Sequence, residues 1–204
     1  RIELVKKDKL IDHQAGQTGV IVTTEDGLTI TARLLVGADG RNSAVRDIAG
    51  IKIKHQDHKQ QAITFHISHS KSHNFISTEF HRPGGPFTLV PLPGNHSSVV
   101  WVEPESKAET ILASRKNEFE RAVQERTHHV LGTIEVITSP TSCPLHSLCA
   151  RRLYAPRIAL IAEAAHVLHP MGAQGLNLSL RDVAILAETI TDSMRLGLDF
   201  GALG

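Results

Sequence analysis

The stretch HPMGAQGLNLSLRD, from His169 to Asp182, joins a loop of small residues to the first turns of a helix. Gly172 and Gly175 let the backbone approach a flat ligand closely, because no Cβ stands in the way. From Pro170 to Leu180 there is no formal charge, and the loop has neither the Lys nor the Ser/Thr of a phosphate-gripping loop. Amides from Gly175, Leu176 and Asn177 would face outward at the positive end of the helix dipole. Such a tip suits a delocalised anion, such as the N1–C2=O edge of a reduced isoalloxazine ring, better than a phosphate. A plain strand-to-helix connection, with glycines for tight packing, fits the same pattern.

Two carboxylates invite a similar comparison. Asp39 follows the apolar run Leu34-Leu35-Val36, inside Gly37-Ala38-Asp39-Gly40, and Glu163 closes RIALIAE. Carboxylates at the ends of two strands suit a polyhydroxyl ligand such as a ribityl chain, bound at the carboxyl edge of an open α/β sheet. An Asp in that setting also makes a simple Asx-turn. Histidine pairs such as His55/His58, His66/His69 and His166/His169 lack the Cys or carboxylate neighbours of a metal site, so no metal is expected.

The elements that must position these residues follow from pattern. TGVIVTTEDGLTITARLLVGADG reads as strands joined by a tight hairpin at Asp26-Gly27. The run Leu34 to Val36 reads as a strand buried on both faces. A short helix from Ser43, its cap, to Ala49 follows, and Gly50 suits its end. From about Asp57 the pattern becomes alternating, with Ile63, Phe65 and Ile67 on one face and Thr64, His66 and Ser68 on the other. PFTLVPL and SSVVWVE are further strands with a turn over Pro91 to Asn95. Ser106 and Glu109 make a capping-box pattern for a helical stretch that reaches about His128, with a break near Ser114. TIEVITS returns as a strand. After the glycine loop, Leu176, Leu180, Val183, Ala184, Ala187, Ile190 and Met194 fall at helical spacing and predict one buried stripe, with Arg181, Asp182 and Glu188 off it.

The expected fold is therefore α/β (α+β mixed), a mixed α/β domain interrupted by an antiparallel-sheet domain. The boundaries fall at 1–56, 57–152 and 153–204. A chain of 204 residues with 41% hydrophobic and 21% charged content has the make-up of a globular protein. A net charge of +1 gives no nucleic-acid signal, and no apolar run approaches a membrane span. Two cysteines, Cys143 and Cys149, and the lack of a signal-peptide pattern point to the cytoplasm. Arg1 in place of Met, and DFGALG closing the chain, suggest cut ends.

Gly37 to Arg46, GADGRNSAVR, resembles the G-A-D-G-x-x-S-x-V-R motif of single-component FAD-dependent aromatic hydroxylases. Ala162 to Asp182 resembles the second flavin motif of that family, G-D-A-A-H-x-x-x-P-x-x-G-x-G-x-N. GPFTLVPLPGNHSSVVWVE and GLNLSLRDVAILAE are similar to the branch that hydroxylates polyprenyl-phenol precursors of ubiquinone. The resemblance implies an FAD-binding Rossmann-like domain with an inserted substrate domain. It implies a monooxygenase in which NAD(P)H, a transient co-substrate, reduces FAD and O₂ then provides an oxygen atom to a phenol ring. By position, Asp39 and Gly40 would help hold FAD and the region where NAD(P)H acts, with Arg46 bracing them. Glu163 would bond the ribityl chain, and Pro170 would border flavin and substrate at the reacting centre. Gly172, Gly175, Leu176 and Asn177 would form the loop and amides facing the ring.

Ala162-Glu163 replaces the usual Gly-Asp, and Gly172-Ala173-Gln174-Gly175 replaces the Ala-Gly-Gln-Gly more common in that branch. The N-terminal G-x-G-x-x-G of the family is absent, so weak FAD binding is expected of this chain. Gly85-Pro86-Phe87, Leu89 and Trp101 would either wall the substrate pocket or form ordinary sheet core. Partners implied are the aromatic or polyprenyl-phenol substrate, a peripheral membrane encounter, and a second copy or other ubiquinone-biosynthesis proteins. The alternatives are a hydroxylase of a small hydroxybenzoate-like phenol and a non-catalytic assembly module.

Overall fold

The structure, a computed structural model, describes residues 2–5 and 9–202. Arg1 and residues 203–204, on which the reading of cut ends partly rests, lie outside the described residues. In chain order the elements are β1 (Leu10–Ala15), β2 (Val20–Thr24), β3 (Thr29–Ala32), β4 (Leu35–Gly37), α1 (Ala44–Ile48), β5 (Ile53–His69), β6 (Thr78–Phe80), β7 (Phe87–Leu92) and β8 (His96–Pro104). They continue with α2 (Glu105–Leu112), α3 (Lys116–Arg126), β9 (Ile134–Val136), β10 (Thr141–Ala150), β11 (Tyr154–Ala155), β12 (Ile158–Leu160), α4 (Ala162–Ala165), β13 (His166–Val167), a 3₁₀ turn (Met171–Ala173) and α5 (Gly175–Arg195).

The chain divides into two compact units, residues 1–56 with 146–204, and residues 57–145. It leaves the first unit inside β5 and returns inside β10, upstream of the 152/153 position read from the sequence. A strand that runs on unbroken leaves no turn residues to mark such a crossing.

In the first unit β1, β2 and β3 form an antiparallel sheet. The Asp26-Gly27 turn is built as its residues dictate. Gly27 takes φ +84°, and Asp26 Oδ1 accepts from the Thr24 hydroxyl (2.5 Å) and the Leu28 N–H (3.2 Å). A second sheet has the order β11-β12-β4, with β12 parallel to β4 and Leu160 opposite Gly37. A Cβ on Gly37 would lie 2.7 Å from Leu160 Cδ2 and 3.1 Å from Val45 Cβ, so any larger residue would have to push these core side chains aside. The core gathers Val45, Ile51, Ala150, Ile158, Leu160, Ala164 and Ala165.

Two expectations are corrected in this unit. The run Leu34 to Val36 is not buried on both faces: Leu35 is half-buried and Val36 exposed, because β4 is the edge of a three-stranded sheet. The apolar stripe of α5 is also rotated away from the protein. Of the expected stripe Leu176, Leu180, Val183, Ala184, Ala187 and Met194 are exposed and Ile190 alone is partly buried as expected, while Leu178, Asp182 and Leu186 share its inward face. The inward Asp182 accepts hydrogen bonds from α4 and β13, and this polar anchor sets the rotation.

In the second unit the antiparallel order is β5-β8-β7-β6, with β9 also pairing β5. Ile63, Phe65 and Ile67 point into the core as their alternation requires, and Thr64, His66 and Ser68 alternate with them. They meet Phe87, Leu89, Val99 and Trp101, with Ala108 of α2 and Phe119 and Val123 of α3 covering them. Burying each large apolar side chain contributes about 1.5–3 kcal/mol. Phe87, Leu89 and Trp101 thus belong to the sheet core, and Trp101 also lines a cavity with Arg82, Lys107 and Arg126. Glu103 is fully buried beneath α2 and α3, where it accepts from Trp101 Nε1 (2.9 Å) and from Arg126 and pairs with Lys107 (3.1 Å). Ser106 does not cap α2. The helix starts one residue earlier, behind Pro104, and has no side-chain cap. The break near Ser114 is present between α2 and α3.

No helix among the described residues is long and apolar enough to cross a membrane.

Candidate functional site

The parallel pairing of β4 and β12 brings two distant segments to one edge of a sheet. Asp39 follows β4 and Glu163 follows β12, and the strands are in register to their ends, where Ile161 N–H donates to Gly37 O (3.0 Å). The two loops touch through Arg41, whose Nε and Nη2 donate to the Glu163 carboxylate at 3.4 and 3.3 Å. Both side chains are about half exposed (56% and 48%), so the pair is weak and exchangeable.

The Asp39 turn is closed on itself. One carboxylate oxygen accepts from the Ser43 hydroxyl (2.5 Å), the other from the Val45 N–H (3.1 Å). Ser43 in turn accepts from the Arg46 N–H (2.9 Å) as the N-cap of α1. Gly40 takes φ +82°, which the turn requires and which other residues rarely adopt. Arg46 is buried at 4% exposure. Its Nη1 donates to Ala164 O (3.2 Å) and its Nη2 to Asp47 (3.3 Å), so one guanidinium ties α1 to α4.

The third piece is α5, which packs on α4. Asp182 Oδ2 accepts from the Ala162 N–H (2.8 Å) and pairs with His166 Nε2 (2.6 Å). Sequence reasoning missed this link. Its signal was a carboxylate on an amphipathic helix, set aside as solvent-facing. Ala162 stands at φ +54°, a left-handed conformation that accounts for glycine at this place in the family motif. Ala173 is likewise at φ +50°, beside Gly172 at +74°.

The tip of α5 differs from that of α1. Its N-cap, Gln174, makes no side-chain cap, and the first intrahelical bond runs from Leu178 N–H to Gln174 O (2.9 Å). The amides of Gly175, Leu176 and Asn177 therefore point past the helix end. All three residues are exposed, as are Pro170, Gly172 and Ala173. A Cβ on Gly175 would meet no atom within 4 Å, so the tip presents bare backbone. The tip is uncharged, rich in donors and backed by a long helix, so it fits the electron-rich edge of a flavin ring. Among the described residues no three His, Cys, Asp or Glu side chains gather as a metal site.

The family model described as FAD binding domain matches residues 6–195. The chain is 42% identical over 184 residues to the ubiquinone hydroxylase UbiL of Rhodospirillum rubrum, covering 90% of this chain and 43% of that protein. It is 32% identical over 199 residues to the ubiquinone hydroxylase UbiM of Neisseria meningitidis, covering 98% and 42%. The chain thus spans about half the length of the curated relatives it matches. Among solved structures it resembles PqsL of P. aeruginosa, crystallised with 2-aminobenzoylacetate, with a TM-score of 0.76 at 21% identity over 92% of this chain and 53% of that one. That likeness shows the fold.

Proposed function

Because this chain belongs to the FAD-binding domain family, we propose that it carries the flavin-ring portion of a monooxygenase that hydroxylates a polyprenyl-phenol intermediate of ubiquinone biosynthesis. The observation that carries this reading is the uncapped, uncharged tip of α5, tied through Asp182 and Arg46 to both strand-end loops.

When bound, FAD would supply redox chemistry between NAD(P)H, O₂ and the phenol ring. The protein's part is to hold, orient and shield. The amides of Gly175, Leu176 and Asn177 would bind the negative edge of the reduced ring. A helix terminus contributes about 0.3–1 kcal/mol at an exposed site and up to about 2 when partly buried. Preorganised donors of this kind need no rearrangement as charge develops. Gly172 shapes the loop, and Pro170 would border the substrate. Leu168, Met171 and Leu176, exposed at the loop, would exclude water from the ring. Glu163 would exchange its loose pairing with Arg41 for ribityl hydroxyls, at little cost for a half-exposed ion pair. Asp39, Gly40 and Arg46 would hold the edge of the site by fixing the turn after β4.

Gly175→Val tests the tip directly. An added Cβ there meets no protein atom within 4 Å, so in the full-length gene product thermal stability should stay within about 0.5 kcal/mol while flavin affinity, read by fluorescence titration, falls at least about tenfold. Unchanged affinity would remove the α5 tip from the site. The substrate class is tested by mass analysis of products from a polyprenyl phenol, FAD, NAD(P)H and O₂, using the full-length gene product. Oxidation of NAD(P)H with no hydroxylated polyprenyl phenol would overturn it.

A further inference from the structure

We propose that Phe75 and Ile76, at the tip of the loop between β5 and β6, form a wedge that inserts into the interfacial region of an anionic lipid bilayer. The wedge lies in the unit 57–145 and its action needs no flavin.

The first observation is exposure combined with strain. Phe75 is 88% exposed and Ile76 63% exposed. Asn74 and Phe75 are consecutive left-handed residues, at φ +50° and +59°. For a bulky side chain this is an outlier, one that persists only where the surroundings enforce it. Here they do. His73 is buried, its Nδ1 accepts from the Phe75 N–H (3.0 Å), and its Nε2 therefore donates to Leu92 O (3.0 Å). Ile76 N–H donates to His73 O (2.9 Å), Asn74 N–H to Ser72 Oγ (3.1 Å), and the Ser77 hydroxyl to Leu89 O (3.1 Å). The loop is thus built to hold two apolar side chains out in water.

The second observation is the neighbouring loop, bonded to the first. Lys71 N–H donates to Leu131 O (3.0 Å), Ser70 N–H to Thr133 O (3.0 Å), and Thr133 N–H to Ser70 Oγ (3.0 Å). It too carries consecutive left-handed residues, His128 and His129, followed by Val130, which is 48% exposed. Neither stretch, His69 to Thr78 or Thr127 to Ile134, contains an Asp or Glu, whereas the exposed Lys71, His128 and His129 flank the apolar tip. An apolar point in a rim of cationic and neutral groups complements an anionic headgroup layer. Protein partners fit less well. Two exposed side chains offer roughly 200–400 Å², short of the about 800 Å² per side that a stable protein interface buries. A bilayer accepts a single aromatic wedge because the surrounding lipid supplies the rest of the contact.

The test is co-sedimentation of the protein with vesicles of phosphatidylcholine alone and of phosphatidylcholine mixed with phosphatidylglycerol. The wild type should pellet with the mixed vesicles. Phe75→Ser should weaken that binding roughly tenfold or more, the scale of burying one phenyl ring. Lys71→Glu should weaken it toward mixed vesicles only. Because Phe75 is nearly fully exposed, far-UV circular dichroism of Phe75→Ser should match the wild type. Phe75→Trp gives a second readout, since the native Trp101 is buried and its emission stays constant. The new indole should shift to the blue with mixed vesicles and be quenched by brominated acyl chains. Failure of the wild type to pellet with mixed vesicles, equal pelleting of Phe75→Ser, or an unmoved indole emission overturns the proposal. So does a lipid-free dimer that Phe75→Ser abolishes, which would make the tip a protein contact.

Discussion

Two helices in the first unit begin near the same sheet edge, and they begin in opposite ways. At α1, Asp39 and Ser43 take up the leading amides and Arg46 seals the turn from beneath. At α5, no side chain reaches the leading amides, although the helix is four times as long and its dipole fully developed. The satisfied start is architecture, since its donors are already used within the fold. The bare start leaves its donors for something else. A loop with glycines is common to both motifs, and the difference in satisfaction separates scaffold from binding surface.

The sharpest way to break this contrast is Arg46→Ala. Removing a buried guanidinium leaves Ala164 O without its donor and opens a cavity between α1 and α4. The expected loss is about 2–3 kcal/mol, read as a lowered urea midpoint. A loss below about 0.5 kcal/mol would show that the α1 turn is not the scaffold. Next in size is Ala162→Gly. A left-handed alanine costs about 1–2 kcal/mol, and glycine returns part of that through its looser unfolded chain. A net gain of about 0.5–1 kcal/mol is expected in the same urea titration. Gln174→Asp then makes α5 more like α1. An acidic residue at the helix start should stabilise the protein by about 0.3–1 kcal/mol and weaken binding of reduced flavin, because it repels the same charge the tip would hold. Stronger binding would contradict the anion-holding role.

The smallest effect concerns the far end of α5. Arg157 donates two bonds to Asp199, at 2.7 and 2.5 Å, and holds that carboxyl down at about 2, with help from the Gly201 N–H. A depressed carboxylate stabilises the fold above its ordinary value of 3.8, and the contribution is lost as pH falls through about 2. Exchange of the Gly201 amide should therefore accelerate, beyond its intrinsic rate, only in that acidic window. Hydrogen-exchange mass spectrometry would detect it, and exchange that is flat across the window would show the clasp does not hold the segment.

Local chemistry was the part most legible in the sequence. The Asp26-Gly27 turn, the Ser43 cap, the alternation at Ile63, Phe65 and Ile67, and both flavin-like motifs depend on near neighbours. Long-range choices were not legible. The face that α5 turns inward is decided by Asp182 meeting Ala162 and His166, and no hydrophobic periodicity reports a polar anchor. The partial exposure of β4 depends on how many strands flank it, which its own residues do not encode. Arg41 was not singled out because its partner Glu163 is remote in the chain and adjacent only through the β4–β12 pairing.

That pairing has a consequence for the order of synthesis. The ribosome delivers β4 and α1 early, yet β12 and Ala164, which complete them, come after the whole of residues 57–145. The contiguous middle unit can mature while translation continues. The unit that would grip the flavin ring has to wait, with Arg46 still in water, until β12 and α4 have emerged behind that middle unit.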